Sequence, residues 1–282
     1  MNKEIIKGFK EAKKITKKYA KTFYFASFFL DKNTRRGAYS IYAICRISDN
    51  SVDENSFIPK KRLLDIKNKI DLAYSNNPIN EDLLLAFRET IVKYNIPKQY
   101  FDELISGMEL DLTKSRYETF EDLYTYCYKV AGVIGLIMLK IFGYKNQEAA
   151  KYAVDLGIAM QLTNILRDIK EDCLIKRIYL PLNELNNFGV YEKDILNSKM
   201  NNNLESLLRF QLERAKKYYE TSLKGVNLID NKRAEFVVKL MANMYCAILD
   251  DIEKHNFDIF TRRAHTSILD KLTVLLKTFI NN

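Results

Sequence analysis

The sequence predicts an all-α protein: one domain over residues 1–282, built as a helical bundle with room for a central cavity. Three observations predict this. Gly and Pro supply only 9 and 4 of the 282 residues, under half the usual combined share of about 12%, so sheet folds would lack the turn residues they need. Helical periodicity of apolar positions runs through nearly the whole chain. The breaks in it are few, short and polar, and none resembles an interdomain linker. With 47% hydrophobic residues, a chain this long can bury a core without a disulfide or metal staple.

The elements follow in order. The opening MNKEIIKGFKEAKK is charged throughout and holds no signal-peptide core. It leads into the densest cationic cluster, Lys13, Lys14, Lys17, Lys18 and Lys21. An aromatic run, TFYFASFFL (22–30), ends at a break over Asp31–Thr34, and a helix carrying IYAICRISDNSVDEN (41–55) follows. Further breaks fall at Ser75–Pro78 and Asn95–Pro97. The best apolar run, Val130 to Leu139, is half the ~18 residues that span a bilayer and reads as a buried helix. The helix GIAMQLTNILRDIKED (157–172) comes next, then breaks around Pro181, at Asn197–Asn203 and at Gly225–Asp230. The end, LDKLTVLLKTFINN, is short and amphipathic. This partition implies roughly eight to ten helices.

Lys and Arg number 45 against 36 Asp and Glu, a net charge of +9. Such a balance suits nucleic acid, anionic lipid or phosphorylated small molecules. The cations are spread along helix faces, and no basic run interleaves with aromatics, so nucleic acid is excluded as a partner. Cys45, Cys127, Cys173 and Cys246 show no paired spacing, and only His255 and His265 accompany them. A zinc site is therefore excluded, and reduced thiols in a cytoplasmic protein are expected.

Two helices carry acid where apolar residues belong. In residues 41–55, Tyr42, Arg46, Asp49 and Asp53 share one face. That stripe either faces water, with Arg46 paired to Asp49, or lines a polar cavity. In residues 157–172, Gln161, Asn164, Asp168 and Asp172 fall within an arc of about 80°, among Ile158, Leu162, Ile165, Leu166 and Ile169. Burying that stripe unpaired would cost several kcal/mol, and a divalent cation would compensate. Each helix thus presents Asp-x-x-x-Asp. Carboxylates without His or Cys suit hard, oxygen-loving cations, and Mg²⁺ is commonly shared between carboxylates and substrate phosphates. The pair reads as a site that binds a diphosphate through magnesium. Arg46, Arg116, Arg167, Arg177, Arg262, Arg263 and Lys21 are candidates for flanking cations, since Arg forks match phosphate oxygens.

At these residues the sequence resembles the squalene and phytoene synthase family. The resemblance covers roughly residues 10–270 and rests on TFYFASFFL (22–30), YAICRISDNSVDE (42–54), GMELDLTKSRY (107–117), YCYKVAGVIG (126–135) and QLTNILRDIKEDCLIKRIYLPL (161–182). It implies an isoprenoid-synthase-like bundle and a head-to-head condensation of two identical prenyl diphosphates. It implies that Asp49, Asp53, Asp168 and Asp172 hold two or three Mg²⁺ ions. Lys21, Thr22, Arg46, Arg177, Gln161 and Asn164 match substrate-binding positions, and Arg263 matches a late basic contact. Tyr42, Tyr128 and Tyr245 match aromatic positions of the reaction cavity, with Tyr128 among the catalytic ones.

The implied chemistry fits the residue types. Cations neutralise departing diphosphate; a dry pocket and aromatic faces protect and stabilise allylic cations. Phe23, Tyr24 and Phe25 are either part of that lining or plain core. Gly132 and Gly135 either leave room for a prenyl chain or mark close helix packing. Ser27 is small enough to admit a longer chain. The segments SRYETFEDLYTYCYKVAG (115–132) and RDIKED…RIYLPL (167–182) resemble phytoene synthases more, and with Ser27 they favour two C20 geranylgeranyl units joined to phytoene. The alternative is two C15 farnesyl units joined to squalene or dehydrosqualene, with NADPH needed only for squalene; a non-catalytic assembly factor is a third reading.

The sequence departs from the family pattern in places. Asn50 stands where many relatives have a second Asp, and Tyr19 where some have His or Ser. Where eukaryotic squalene synthases carry a C-terminal membrane anchor, this stretch is short and amphipathic, so a soluble or peripheral chain is expected. A cytoplasmic protein with a peripheral seat on the inner face of an anionic membrane is expected, handing its product to downstream carotenoid or triterpene enzymes.

Overall fold

A computed structural model describes residues 2–53 and 59–280; within Asp49–Asp53 it describes the backbone alone. Among the described residues there are fifteen α-helices and no β-strand. They are α1 (Lys3–Tyr19), α2 (Lys21–Ala26), α3 (Lys32–Asp53), α4 (Pro59–Tyr74), α5 (Asp82–Lys93), α6 (Lys98–Thr113), α7 (Phe120–Cys127), α8 (Val133–Phe142), α9 (Ala149–Arg167), α10 (Ile169–Leu174), α11 (Leu182–Asn187), α12 (Glu192–Leu196), α13 (Asn202–Leu223), α14 (Lys232–Lys254) and α15 (Ile268–Ile280). The count exceeds the expected eight to ten because helices end without Gly or Pro. α1 stops at Ala20 and α9 at Asp168, each in a non-helical backbone conformation. The expected breaks near Ser75, Asn95, Pro181, Asn197 and Gly225 all lie between helices.

Local chemistry starts several helices. Thr119 and Asp122 form a reciprocal capping box at the head of α7. Asn201 and Asn231 side chains accept backbone N–H groups at the heads of α13 and α14. Asn231 also donates to Asp31 over 3.2 Å, which ties the head of α14 to that of α3.

α9 runs through the middle of the bundle, with α8, α13 and α14 packed along it. A π-helical turn, Tyr128–Gly132, joins α7 to α8 and also packs on α9. Phe120–Phe142, taken as one helix through that turn, is long and apolar enough to cross a bilayer, contrary to the expectation from the shorter run. Val133, Ile137, Leu139, Ile141 and Phe142 are nonetheless buried inside the bundle. Two core clusters lie on either side, one centred on α3–α6, α8 and α14, the other on α7, α9, α13 and the 178–212 segment. Tyr128, Met160 and Tyr245 pack against both.

Gly135 and Gly157 set the spacing of the central helices. A Cβ on Gly135 would meet the Ala153 carbonyl oxygen at 2.1 Å, and one on Gly157 the Ala131 oxygen at 2.4 Å. Both contacts are with backbone, so only glycine allows the approach.

Candidate active site

Between α2, α3, α8, α9 and α14 lies a cavity of about 780 Å³, near the top of the range for small-molecule pockets. Its chemistry changes along α9. Ala149, Tyr152, Ala153, Leu156, Gly157 and Met160 line one part, and Gln161, Asn164 and Arg167 the next. These positions recur at three- and four-residue steps, so a single face of α9 forms the wall. From Ala149 to Arg167 that wall is about 27 Å long at 1.5 Å per residue. Ile134, Met138, Leu139, Phe142, Ile229, Val237 and Met241 complete the apolar part. Lys18, Lys21, Thr22, Tyr42, Arg46, Tyr245 and Arg263 join the polar part.

The polar end is dominated by cations. Arg167 grips Asp168, with Nε–Oδ1 at 2.8 Å and Nη2–Oδ2 at 2.5 Å. Arg263 approaches the same carboxylate, Nη2–Oδ1 at 2.7 Å, and lies 3.7 Å from Glu171. Burial pulls the Arg167 guanidinium down, but its bonds to Asp168 outweigh this and hold it above its ordinary value. Arg46 lies 4.9 Å from the Tyr19 ring centroid, and its Nε is buried without a hydrogen-bond partner among the described residues. Tyr19, the departure noted in the sequence, thus serves as an aromatic platform for Arg46. Asn164 donates to the Gln161 amide oxygen over 3.3 Å. Tyr245 is partly buried, and that burial raises the pKa of its hydroxyl, so it stays neutral.

Asp172 differs from the expectation. Its amide bonds the Asp168 carbonyl at 2.9 Å, so one helical turn links the two. The change of backbone direction at Asp168 nevertheless turns Asp172 out of the cavity and into a small crevice with Ile165, Cys173, Arg177 and Tyr179. Burial, and next the negative charge of Asp168, push its carboxyl up to about 7. A hard cation would relieve both effects, and the oxygen-only donor pair fits magnesium. Among the described residues no cluster of three or more metal-ligating side chains forms. The side chains of Asp49 and Asp53 lie outside the described residues.

Other predicted residues are placed as follows. Lys21, Thr22, Tyr42, Arg46, Gln161, Asn164, Tyr245 and Arg263 all line the cavity. Arg177 does not: its Nη2 donates to the Asp111 carbonyl over 2.6 Å, beside Asp172. Asp111 also accepts from Tyr126 and Tyr179, at 3.0 and 2.8 Å, which holds that crevice together. Tyr128 is not in the cavity wall either. The π turn that carries it aims its ring back over Gly132 and into the seam between the two cores. Ser27 is fully buried and bonded to the Tyr24 carbonyl and the Tyr39 hydroxyl, at 2.7 and 2.5 Å, so it sets no chain length at the cavity wall. Of the aromatic run only Phe23 reaches the cavity; Tyr24 stacks on Tyr39. Gly135 lines the cavity and packs closely, so both of its expected roles coincide; Gly132 does not line it.

Arg116 and Arg262 are spoken for elsewhere, by Glu192 and Asp251, each over 2.7 Å. Lys18 and Tyr152 are cavity residues that reading the sequence did not single out. The only signal for Lys18 was the lysine cluster that contains it, and Tyr152 had none.

A match to the squalene/phytoene synthase family model spans residues 16–270. The chain belongs to that family. It is 35% identical to the 15-cis-phytoene synthase of Synechococcus elongatus, over 95% of this chain and 91% of that protein. It is 34% identical to the phytoene synthase of Arthrospira platensis, over 93% and 89%. A crystal structure of a dehydrosqualene synthase superposes with a TM-score of 0.92 at 28% identity, covering 99% of this chain and 97% of that one. The squalene synthase of Alicyclobacillus acidocaldarius gives 0.85 at 26%, covering 92% and 98%. As a family member the chain is a prenyltransferase of isoprenoid biosynthesis, and its all-helical architecture is the family's.

Proposed function

We propose that this chain, acting as one domain, condenses two geranylgeranyl diphosphates head to head to phytoene. One observation carries the reading: a single cavity with a cationic polar end, walled by α9 over about 27 Å, of which the apolar part from Ala149 to Met160 takes about 17 Å, the dimensions following from the helix rise. Relatives named as phytoene synthases, sharing about a third of its residues, support the C20 choice.

The chain's own residues then act in a defined order. Lys18, Lys21, Arg46, Arg167 and Arg263 meet the diphosphate oxygens at the polar end. Gln161 and Asn164 supply amide donors beside them. Magnesium held by Asp168 and Asp172, with Asp49 and Asp53, would supply further neutralisation of the leaving diphosphate. The first substrate's C–O bond breaks and diphosphate leaves with the electron pair. The second substrate's double bond attacks the resulting allylic cation, a C–C bond forms, and released diphosphate takes the proton. The cyclopropylcarbinyl diphosphate ionises in turn, rearranges, and loses a second proton to give a linear C40 product. Phe23, Tyr42 and Tyr245 offer ring faces to these cations, and the apolar wall excludes water. No reductant is needed. Squalene formation would require a hydride from NADPH in place of the last proton loss.

Substrate and product are apolar, which supports a peripheral seat on an anionic cytoplasmic membrane and transfer of product to downstream carotenoid enzymes. The test is product analysis with Mg²⁺ and either geranylgeranyl or farnesyl diphosphate, with and without NADPH. A C40 hydrocarbon from the C20 substrate, lost in Asp168→Ala, supports the reading. A C30 product from farnesyl diphosphate alone moves the assignment to the squalene branch, and no product from either refutes catalysis.

A further inference from the structure

α15 presents three faces. At about 100° per residue, Lys271, Val274, Leu275 and Thr278 point to one side, where Val274 and Leu275 join the first core cluster. Thr278 accepts a hydrogen bond from Asn243 of α14 over 3.0 Å. The polar residues Asp270, Thr273 and Lys277 form a second, narrow face. Ile268, Leu269, Leu272, Leu276, Phe279 and Ile280 fall within an arc of about 120° on the third side. All six are exposed, from 45% for Leu272 to 83% for Ile280. Phe279 touches Phe29, and the neighbouring Phe28 is itself 54% exposed. A second exposed aromatic from another element thus stands one residue from a ring that the stripe touches. A contiguous apolar patch of this kind marks an interaction surface.

Charge identifies the occupant. Lys271 and Lys277 flank the stripe on α15, and the Arg35 guanidinium sits 5.6 Å from the Phe28 ring. The one carboxylate on the helix, Asp270, is turned back to the Ser267 amide at 2.8 Å. A second copy of this chain, docked by two-fold symmetry, would bring the same cations against each other. An anionic lipid surface would instead complement them. A helix with an apolar stripe bordered by lysines lies flat at a membrane interface.

The position relative to the cavity is also suitable. Arg263 of the polar end precedes Ile268 by five residues, a reach of no more than about 18 Å. Asp251 on α14 holds both Arg262 and the His265 amide, at 2.7 and 3.1 Å, so this approach is anchored. We propose that the exposed apolar face of α15, with Phe28 beside it, docks the chain on an anionic lipid bilayer, with the cavity's polar end close to the membrane surface. The purpose of docking rests on the prenyltransferase reading; the docking itself does not.

The test is flotation of the full chain with vesicles of phosphatidylcholine alone and of phosphatidylcholine mixed with phosphatidylglycerol. The wild-type chain is expected to float with the anionic vesicles and to be released by salt. Leu272→Glu/Leu276→Glu should lower partitioning about tenfold or more, since two leucines that would enter the bilayer become carboxylates facing anionic lipid. Leu272→Phe/Leu276→Phe should retain it, and thermal melting of each variant checks the fold. Wild-type chain that stays at the bottom of the gradient with anionic vesicles, or a Glu variant that floats equally, overturns the proposal. So does a concentration-dependent dimer that the Glu variant disperses while neither form binds vesicles. Turnover on detergent-dispersed substrate separates the two readings: wild type and Glu variant should match there. Flotation as expected with no product from either diphosphate would overturn the catalytic reading and leave the docking surface supported.

Discussion

Gly157→Ala sets two effects of known size against each other. In an exposed helix interior, Gly→Ala stabilises by about 1 kcal/mol. In α9 the added Cβ would lie 2.4 Å from the Ala131 oxygen, 2.7 Å from its carbon and 2.9 Å from the Gly132 Cα. A carbon–oxygen contact needs about 3.3 Å, so α9 and the π turn must separate by roughly 0.9 Å. All three contacts are backbone, and no rotamer change relieves them. Overpacking costs about 1–3 kcal/mol, and with backbone on the other side the upper half of that range applies. The net expectation is a loss of about 1–2 kcal/mol. With an unfolding entropy of about 0.6 kcal/mol/K for 282 residues, Tm should fall by about 2–3 °C. The same shift displaces one wall of the cavity. Misplacement on the order of 1 Å can cost about a hundredfold in rate, so kcat/KM should fall ten- to hundredfold while helicity is kept. Gly132→Ala is the comparison, because its Cβ would meet only the side chains of Tyr128 and Val154, at 3.1 and 3.3 Å, and should cost less. Calorimetry and product assays on both variants decide. A Gly157→Ala protein that melts at or above wild type with full turnover would refute the reasoning, showing that helix propensity outweighs the close approach.

Three further outcomes are expected. Arg167→Ala removes the buried partner of Asp168 and a diphosphate contact, and should lower kcat/KM by about 10²–10³, with Arg167→Lys restoring part of it in steady-state assays. Glu184→Ala strands Arg214, whose Nη2 lies 2.6 Å from the carboxylate, and Gln211 beside it. Breaking such a pair costs about 3–5 kcal/mol, read as a Tm lower by roughly 5–8 °C, with turnover at low temperature preserved. Burial pushes the Cys173 and Cys246 thiols up to about 11. A raised folded-state pKa contributes stability below the unfolded value, about 9, that is lost as pH rises through 11. Denaturation midpoints should therefore decline across that alkaline window, and less so in a Cys173→Ala/Cys246→Ala protein; an unchanged slope would count against the burial argument.

Much of this molecule is legible one helix at a time. The scarcity of Gly and Pro and the 3.6-residue periodicity dictate helices, and polar breaks near Ser75, Asn95 and Asn197 end them. The change from Ala and Leu to Gln161, Asn164 and Arg167 along one face of α9 is written in the sequence, and so are the aspartate pairs and the segments shared with the family. Spacing determines which residues share a face because the helix rise and twist are local backbone properties. It does not determine what that face meets. Only the packing of distant elements could turn Arg177 toward Asp111, sixty-six residues away, instead of toward the cavity. Only the π turn could aim Tyr128 into the seam between the cores, and only Tyr39 could occupy Ser27. Lys18 and Tyr152 became cavity residues, and α15 kept an uncovered apolar stripe, for the same reason. Which surfaces touch is set by long-range burial summed over the whole chain, and no local window of the sequence contains that sum.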